Sequence, residues 1–423
     1  MGSHLLQLPY GRTYLTVKLP DGISADWIEP VETPSAPDGL SEVENALDHP
    51  EDVHLSQWVG ARTAAIAIND KTRPVPHHLL LPPLLKRLES MGLEPQNIRL
   101  LIATGTHLPM PAEEIKLILP QEIIERYPII SHNCDDASNL IYLGETRQQT
   151  PVFVNRLFYE ADIRIVTGNL EPHHFMGFSG GAKSAGVGLA GRETINHNHA
   201  MLLDPLSHVG EYDHNPTRQD IEEVGQIMGI HFALNIVMNA DREIVRAFSG
   251  TPLSVMLAGI PAARAICQTM VPHRYDLVIA SAGGHPKDIN LYQAQKALTH
   301  ASLLTVDGGM VILVAACPEG SGSKGYEHFM EGITRHEDVF DKFQQQGFSV
   351  GPHKAIQIAR DATRIGIVMV SDMPADLVRR LCLQPAASLE DAITCALTRL
   401  PTLPRVAILP KATTTIPVTV SLD

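Results

Sequence analysis

A chain of 423 residues is long enough for two or three domains, and 44% hydrophobic with 19% charged residues is the composition of a soluble globular protein. The net charge of −14 argues against nucleic acid as a main partner, since neutralising phosphates needs concentrated Lys and Arg. A small anionic substrate stays open, because a few local cations suffice to hold one.

The opening Met1–His4 reads as a cloning scar. "ARTAAIAIND" (61–70) reads as a strand with a polar end, "HHLLLPPLLKRLESMG" as a helix interrupted by prolines, and "IRLLIATGTH" (98–107) as a second strand. "ADIRIVTGN" (161–169), "YDLVIASAGG" (275–284), "GMVILVAAC" (309–317) and "GIVMVSD" (366–372) repeat the design. Short apolar runs ending in Gly, Thr, Asn or Asp are the signature of buried parallel strands, so the fold class is α/β. Ligands of such sheets gather at the carboxyl ends of the strands. The polar segments Asp70–Arg73, "TGTH", "GNLEPHH" and "GGHPKDIN" all fall there. A long helix over "SVMLAGIPAARAICQTMV" places a domain boundary near residue 270, giving domains 1–270 and 271–423. The five cysteines (Cys134, Cys267, Cys317, Cys382, Cys395) lack a C-x-x-C pair and read as reduced. No apolar run approaches the ~18 residues a membrane helix needs. A cytoplasmic protein with no membrane partner is the expectation.

"GFSGGAKS" (Gly177–Ser184) comes within one residue of the phosphate-loop pattern G-x-x-x-x-G-K-[ST], with Ala182 in place of the last glycine. A true phosphate loop follows its strand immediately, whereas here the strand ends near Gly168. The added Cβ of Ala182 also stands where phosphate approach wants none. A nucleotide-binding phosphotransferase using this loop is therefore the second reading. Most of the 20 histidines are ordinary surface or core residues, but His107, His173 and His199 each lie beside a strand end or a glycine-rich turn. Imidazole is suited to proton transfer near neutral pH and is a common ligand for nickel, copper and zinc. No H-E-x-x-H set supports a zinc hydrolase.

Taken together, "NDKTRPVP" (69–76), "TGTH" (104–107), "EPHHFMGFSGGAKS" (171–184) with His199, and "LYQAQKAL" (291–298) resemble the lactate racemase family, whose members use a nickel-pincer nucleotide. The similarity runs from about residue 10 into the C-terminal domain. It implies two α/β domains with parallel-type sheets and an active-site cleft between them. It also implies a Ni(II) pyridinium-3,5-bisthiocarboxylic acid mononucleotide cofactor, made by separate cofactor-biosynthesis enzymes. Lys183 matches the lysine that joins this nucleotide covalently in the lactate enzyme, and His199 matches the nickel ligand. His107 and His173 match the two catalytic histidines. Asp70, Ser179 and Gly180 fall at cofactor-binding positions, and Arg73, His174, Gln293 and Lys296 at substrate-binding ones. His173 rather than His174 takes the catalytic place because it lies ten residues before Lys183.

The implied reaction is racemisation or epimerisation of a 2-hydroxy acid by hydride transfer through a 2-oxo acid. Proton abstraction is the harder route, because a C–H beside an ionised carboxylate is weakly acidic. Two bases from different strand ends suit a reaction on two faces, and a bidentate arginine suits the substrate carboxylate. Lactate-specific members carry an aromatic residue after "HKA", where this sequence has Ile356. The expected substrate is accordingly a hydroxy acid other than lactate, such as a larger one or a sugar acid. A cofactor-storage protein is a third reading, opposed by the presence of both His107 and His173.

Overall fold

Alternating aliphatic runs and amphipathic helices build two six-stranded sheets in a computed structural model that describes residues 5–73, 75–348 and 351–419. The proposed cloning scar, Met1–His4, lies outside the described residues. The chain divides into two units, one of residues 32–266 and the other of residues 267–423 with the N-terminal segment up to Val31. This differs from the expected division into 1–270 and 271–423. The N-terminal segment joins the C-terminal unit because its strand β1 (Ala25–Trp27) pairs in parallel with Val406–Ile408 at the sheet edge.

In the 32–266 unit the strands are β2 (Ala64–Asn69), β3 (Ile98–Ala103), β4 (Ile129–Ser131), β5 (Ile163–Asn169), β6 (Phe232–Met238) and β7 (Ile244–Gly250). Their order is β7-β6-β5-β2-β3-β4, parallel throughout except for β7 against β6. All of Ala64 to Ile68 is fully buried, as expected of a strand covered on both faces. Helix α1 (His77–Ser90) packs Leu80, Leu84 and Leu88 against Ile66, Ile68, Leu100 and Ile102. Each such leucine contributes roughly 2 kcal/mol by leaving water. That burial explains why α1 runs unbroken through Pro82 and Pro83, where the sequence suggested an interruption.

The other unit holds β8 (Tyr275–Ser281), β9 (Thr305–Val314), β10 (Gly366–Val370), β11 (Gln384–Ala386) and β12 (Val406–Leu409). Their order, β11-β10-β9-β8-β12-β1, is parallel throughout. The helix expected across the boundary spans Pro252–Cys267 and gives way to a short strand, Gln268–Val271. Among the described residues, no helix is long and apolar enough to cross a membrane.

Both sheets have a topological switch point. From β2 the chain moves outward through β3 and β4, then returns to the other side of β2 with β5. The loops leaving β2 and β5 therefore diverge and open a crevice at the carboxyl ends of these strands, which is where ligands of doubly wound sheets bind. Asn69 ends β2 and Asn169 ends β5.

Candidate active site

The loop after β2 folds on Asp70, whose Oδ1 accepts hydrogen bonds from the Thr72 amide (3.0 Å) and the Thr72 hydroxyl (2.6 Å). Its Oδ2 accepts from His107 Nδ1 at 2.7 Å. His107 reaches it from the "TGTH" turn after β3. That turn is tied down by Gly105 N–H to the Gly188 carbonyl (3.0 Å) and Thr104 Oγ1 to the His132 carbonyl (2.7 Å). Asp70 is only 4% exposed, while the His107 side chain is 48% exposed. Burial pushes the Asp70 carboxyl up, but the hydrogen bonds from His107 and Thr72 outweigh it and hold the group below its ordinary value. Because a carboxylate only accepts, the neutral His107 ring carries its proton on Nδ1 and its lone pair on Nε2.

The loop after β5 sets a second imidazole the other way round. Pro172–His173 pairs with Gly177–Phe178 in a short hairpin, and the Met176 N–H donates to His173 Nδ1 at 3.3 Å. A neutral His173 therefore carries its proton on Nε2. The His173 and His174 rings stack with centroids 4.4 Å apart, and both meet Phe175 edge-on.

Phe175 in turn meets the ring of His199 at 5.0 Å. His199 sits near the end of α3 (Arg192–Ala200), which follows the four-residue helix α2 (Lys183–Gly186). Asn198 fixes its tautomer. The Asn198 amide nitrogen donates to the Thr217 carbonyl (2.9 Å) and Asp220 Oδ2 (2.8 Å), so its oxygen, 3.0 Å from His199 Nδ1, accepts from that ring. The lone pair is left on Nε2. Burial, reinforced by the charge of Lys183, lowers the His199 pKa to about 3, keeping the imidazole in the form that binds metals.

Lys183 is half-buried, and its side-chain amine makes no hydrogen bond or ion pair among the described residues. Burial, then the charges of Arg73 and Arg218, lower its ammonium pKa to about 7, with Glu171 opposing. A large fraction is therefore a free amine at neutral pH.

The glycines of "GFSGGAKS" face the protein's own atoms. A Cβ on Gly177 would stand 1.6 Å from the Glu211 carbonyl oxygen, and one on Gly180 would stand 2.9 Å from Asn235 Oδ1. The Ser179 hydroxyl donates back to the Glu171 carbonyl at 3.1 Å. These positions lock a turn, so they leave no open backbone cradle of the phosphate-loop kind.

Asp70, Arg73, His107, His173, His174, Ser179, Gly180, Lys183 and His199 all lie in the 32–266 unit. Gln293 and Lys296 lie in the other unit, on the half-buried face of α5 (Leu291–Leu304), where Lys296 Nζ donates to Gln293 Oε1 at 3.2 Å. Ile356 is wholly buried in the helix His353–Ala362, inside its own unit. Sequence reasoning missed Asn198, Arg218, Glu222 and Asn235. The "NHNH" repeat before residue 200 was the one local signal for Asn198.

A metal here would draw on His199 and on ligands from a bound group. Among the described residues, no three His, Cys, Asp or Glu side chains converge for one. The residues fit such a group. His199 presents the lone pair of Nε2 and Lys183 an amine. Asn69 Oδ1 and Asn169 Oδ1 are buried acceptors without a hydrogen bond among the described residues.

The chain matches a family model described as the lactate racemase N-terminal domain over residues 10–210, and one described as the lactate racemase C-terminal domain over 271–417. It is 30% identical to the lactate racemase of Thermoanaerobacterium thermosaccharolyticum over 402 residues, covering 92% of this chain and 94% of that protein. The lactate racemase of Lactiplantibacillus plantarum is 29% identical over 421 residues, covering 96% and 97%. The solved lactate racemase apoprotein from T. thermosaccharolyticum superimposes with a TM-score of 0.88 at 28% identity, over 98% of this chain and 100% of that one. The chain belongs to the lactate racemase family and is an isomerase of the racemase type.

Proposed function

We propose that the chain inverts the hydroxyl-bearing carbon of a 2-hydroxy acid, with a nickel-pincer nucleotide held by Lys183 and His199. Family membership implies a nickel-dependent cofactor; the particular nucleotide and its bond to Lys183 are our reading. The observation that carries it is the opposite setting of two imidazoles at one switch point. His107 offers a lone pair on Nε2, backed by Asp70, and His173 offers an N–H on Nε2. Removing a hydroxyl proton on one side and hydrogen-bonding the re-forming hydroxyl on the other uses such a pair.

When bound, the nucleotide supplies an acceptor for the hydrogen leaving the substrate carbon with its electron pair, so that no carbanion forms. The remaining work falls to side chains of the chain. Arg73 grips the substrate carboxylate through two parallel hydrogen bonds and fixes the plane about which the carbon is inverted. His107 Nε2 takes the hydroxyl proton, and the buried Asp70 carboxylate stabilises the imidazolium that results. His173, with His174 stacked on it, would hydrogen-bond the oxygen through Nε2–H after the carbon is turned and, once protonated from solvent, supply the proton the returning hydroxyl needs. Gln293 and Lys296 are assigned to the substrate only by the resemblance of "LYQAQKAL" to the family. The hydride returns to the carbon and His107 releases its proton to the solvent that reprotonates His173, so the reaction is balanced without an external oxidant. Ile356, in place of an aromatic residue, favours a substrate larger than lactate, such as a longer hydroxy acid or a sugar acid.

Protein co-produced with cofactor-building enzymes tests the reading by metal analysis and intact mass. About one nickel per chain, lost in His199→Ala, is expected. The mass increase of the loaded chain should vanish in Lys183→Ala. Absence of nickel under every loading condition contradicts the assignment, and Lys183-dependent ATP hydrolysis without nickel would favour the phosphotransferase instead.

A further inference from the structure

Beneath the Lys183 loop lies a wholly buried cation that no catalytic step above uses. Arg218, on α4 (Pro216–Met228), has no solvent exposure. Its Nε donates to Glu222 Oε1 at 2.8 Å, and its Nη2 meets the same carboxylate. Two further donors go to backbone: Nη1 to the Phe178 carbonyl at 3.0 Å and Nη2 to the Gly180 carbonyl at 3.1 Å. Tyr212 completes the cage, its hydroxyl donating to Glu222 Oε1 at 3.0 Å and its ring lying 5.4 Å from the guanidinium carbon.

The same turn is held from its amide side by Asn235 on β6, whose Oδ1 accepts from Gly181 N–H at 2.7 Å. Its Nδ2 donates to the Gly168 carbonyl at 3.3 Å, tying the turn to the end of β5. Two glycines make this grip possible. A Cβ on Gly181 would stand 3.1 Å from Arg218 Nη2 and 2.7 Å from Met256 Cγ, and Gly180 is equally tight against Asn235. Both have positive φ, 86° at Gly180 and 56° at Gly181. Such a turn, with its carbonyls on a guanidinium fork and its amide on a carboxamide, has little freedom left. Lys183 follows it two residues later.

We propose that Arg218, oriented by Glu222, is the positioning residue of Lys183, fixing the 178–181 turn through two carbonyls so that the amine projects to one place. The proposal rests on the reading of Lys183 as the cofactor-contacting residue. A lysine at 218 would bring a point charge in place of the planar fork and could not hold both carbonyls with the same geometry. Misplacing a reacting group by an ångström costs about 100-fold in rate, so the clamp matters to chemistry and not only to folding.

The test compares wild type and Arg218→Lys by hydrogen exchange on apoprotein, and by cofactor loading and kinetics on protein co-produced with the cofactor-building enzymes. Expected in the variant are exchange over 178–184 faster by about tenfold or more, with β2 and β5 unchanged, and a kcat lower by roughly 10- to 100-fold with KM moved less than about threefold. Arg218→Gln should be worse than Arg218→Lys. A folded Arg218→Lys with wild-type exchange over 178–184 and wild-type kcat overturns the proposal. So does exchange that rises equally across the whole unit, which marks a purely structural role. If Arg218→Lys does not fold, Glu222→Gln, which keeps the shape and loosens the fork, is expected to show the same localised exchange in smaller measure. Its absence there overturns the proposal equally. The exchange arm needs no cofactor, so a wild type that binds no nickel would sink the cofactor reading while leaving the clamp tested.

Discussion

The two sheets share a plan and differ in what stands at their switch points. In the 32–266 unit, the ends of β2 and β5 carry Asp70, Arg73, His173 and His174, with Lys183 and His199 close by. Several of these groups are shifted from their ordinary protonation or held in one tautomer. In the other unit the crevice falls between β8 and β12, and its polar groups are largely closed on the protein itself. Ser281 donates to the Pro9 carbonyl (2.5 Å), Thr413 to the Ala282 carbonyl (2.8 Å), and Asn290 caps α5 by accepting from the Gln293 amide (3.1 Å). Topology says where a ligand can bind; the burial and pairing of particular side chains say which crevice can also do chemistry.

The contrast predicts unequal losses. His107→Ala and His173→Ala should each lower turnover by about 100- to 10,000-fold while nickel content is kept, read by chiral chromatography and metal analysis. In the other unit, Gln293→Ala and Lys296→Ala should act chiefly on KM. A kcat collapse there with KM intact would break the division. Next in size is Asp70→Asn, which keeps an acceptor for His107 Nδ1 but removes the charge that supports the imidazolium. A loss of about 100-fold or more in kcat is expected, and a loss below about threefold would remove Asp70 from the proton transfer.

Smaller effects fall on stability. With a pKa of about 7 when folded and near 10.5 when unfolded, Lys183 is protonated in both states below pH 7, where its buried charge weighs fully against folding. Between those values the unfolded chain binds the extra proton, so apoprotein stability should rise with pH. Lys183→Met should flatten that rise between pH 7 and 9 by about 1–2 kcal/mol, allowing for partial exposure, as read from urea midpoints. Asp361 gives the opposite slope in the other unit. Burial raises its pKa to about 6 against the help of the Ser302 hydroxyl, so stability present at low pH is lost as the pH climbs through 6. Asp361→Asn should stabilise the protein by about 1–3 kcal/mol at pH 7 and hardly at all at pH 4. Equal gains at both values would mean that the carboxyl is not ionising inside the fold.

The strand ends were legible in the sequence because a buried parallel strand must be apolar and must stop at a polar residue, as "AAIAIND" does. The candidate site residues came only from motif spacing and resemblance, which named His107, Lys183 and His199 without their partners. Asn198 and Asn235 sit singly in otherwise ordinary helix and strand segments. Arg218 lies in "TRQDIEEVG", a polar run that does not mark its arginine as buried; only the fold reveals that its pair with Glu222 is. Strand β1 was missed for a similar reason. Three residues, "ADW", carry too little pattern to announce an edge strand, so the N-terminal segment was assigned to the wrong unit. "GFSGGAKS" misled because glycines needed for close packing of Arg218 and Asn235 look the same in sequence as glycines that cradle phosphate.

The central claim is that the hydrogen on the inverted carbon leaves and returns with its electron pair, while only the hydroxyl proton passes through histidine. Racemising a 2-hydroxy acid substrate deuterated at C2, in ordinary water with cofactor-loaded protein, tests it most directly by mass spectrometry of the separated product. Deuterium retained in the inverted product is the predicted result. Its replacement by solvent hydrogen would mean that His107 or His173 abstracts the carbon-bound proton, and would contradict the account.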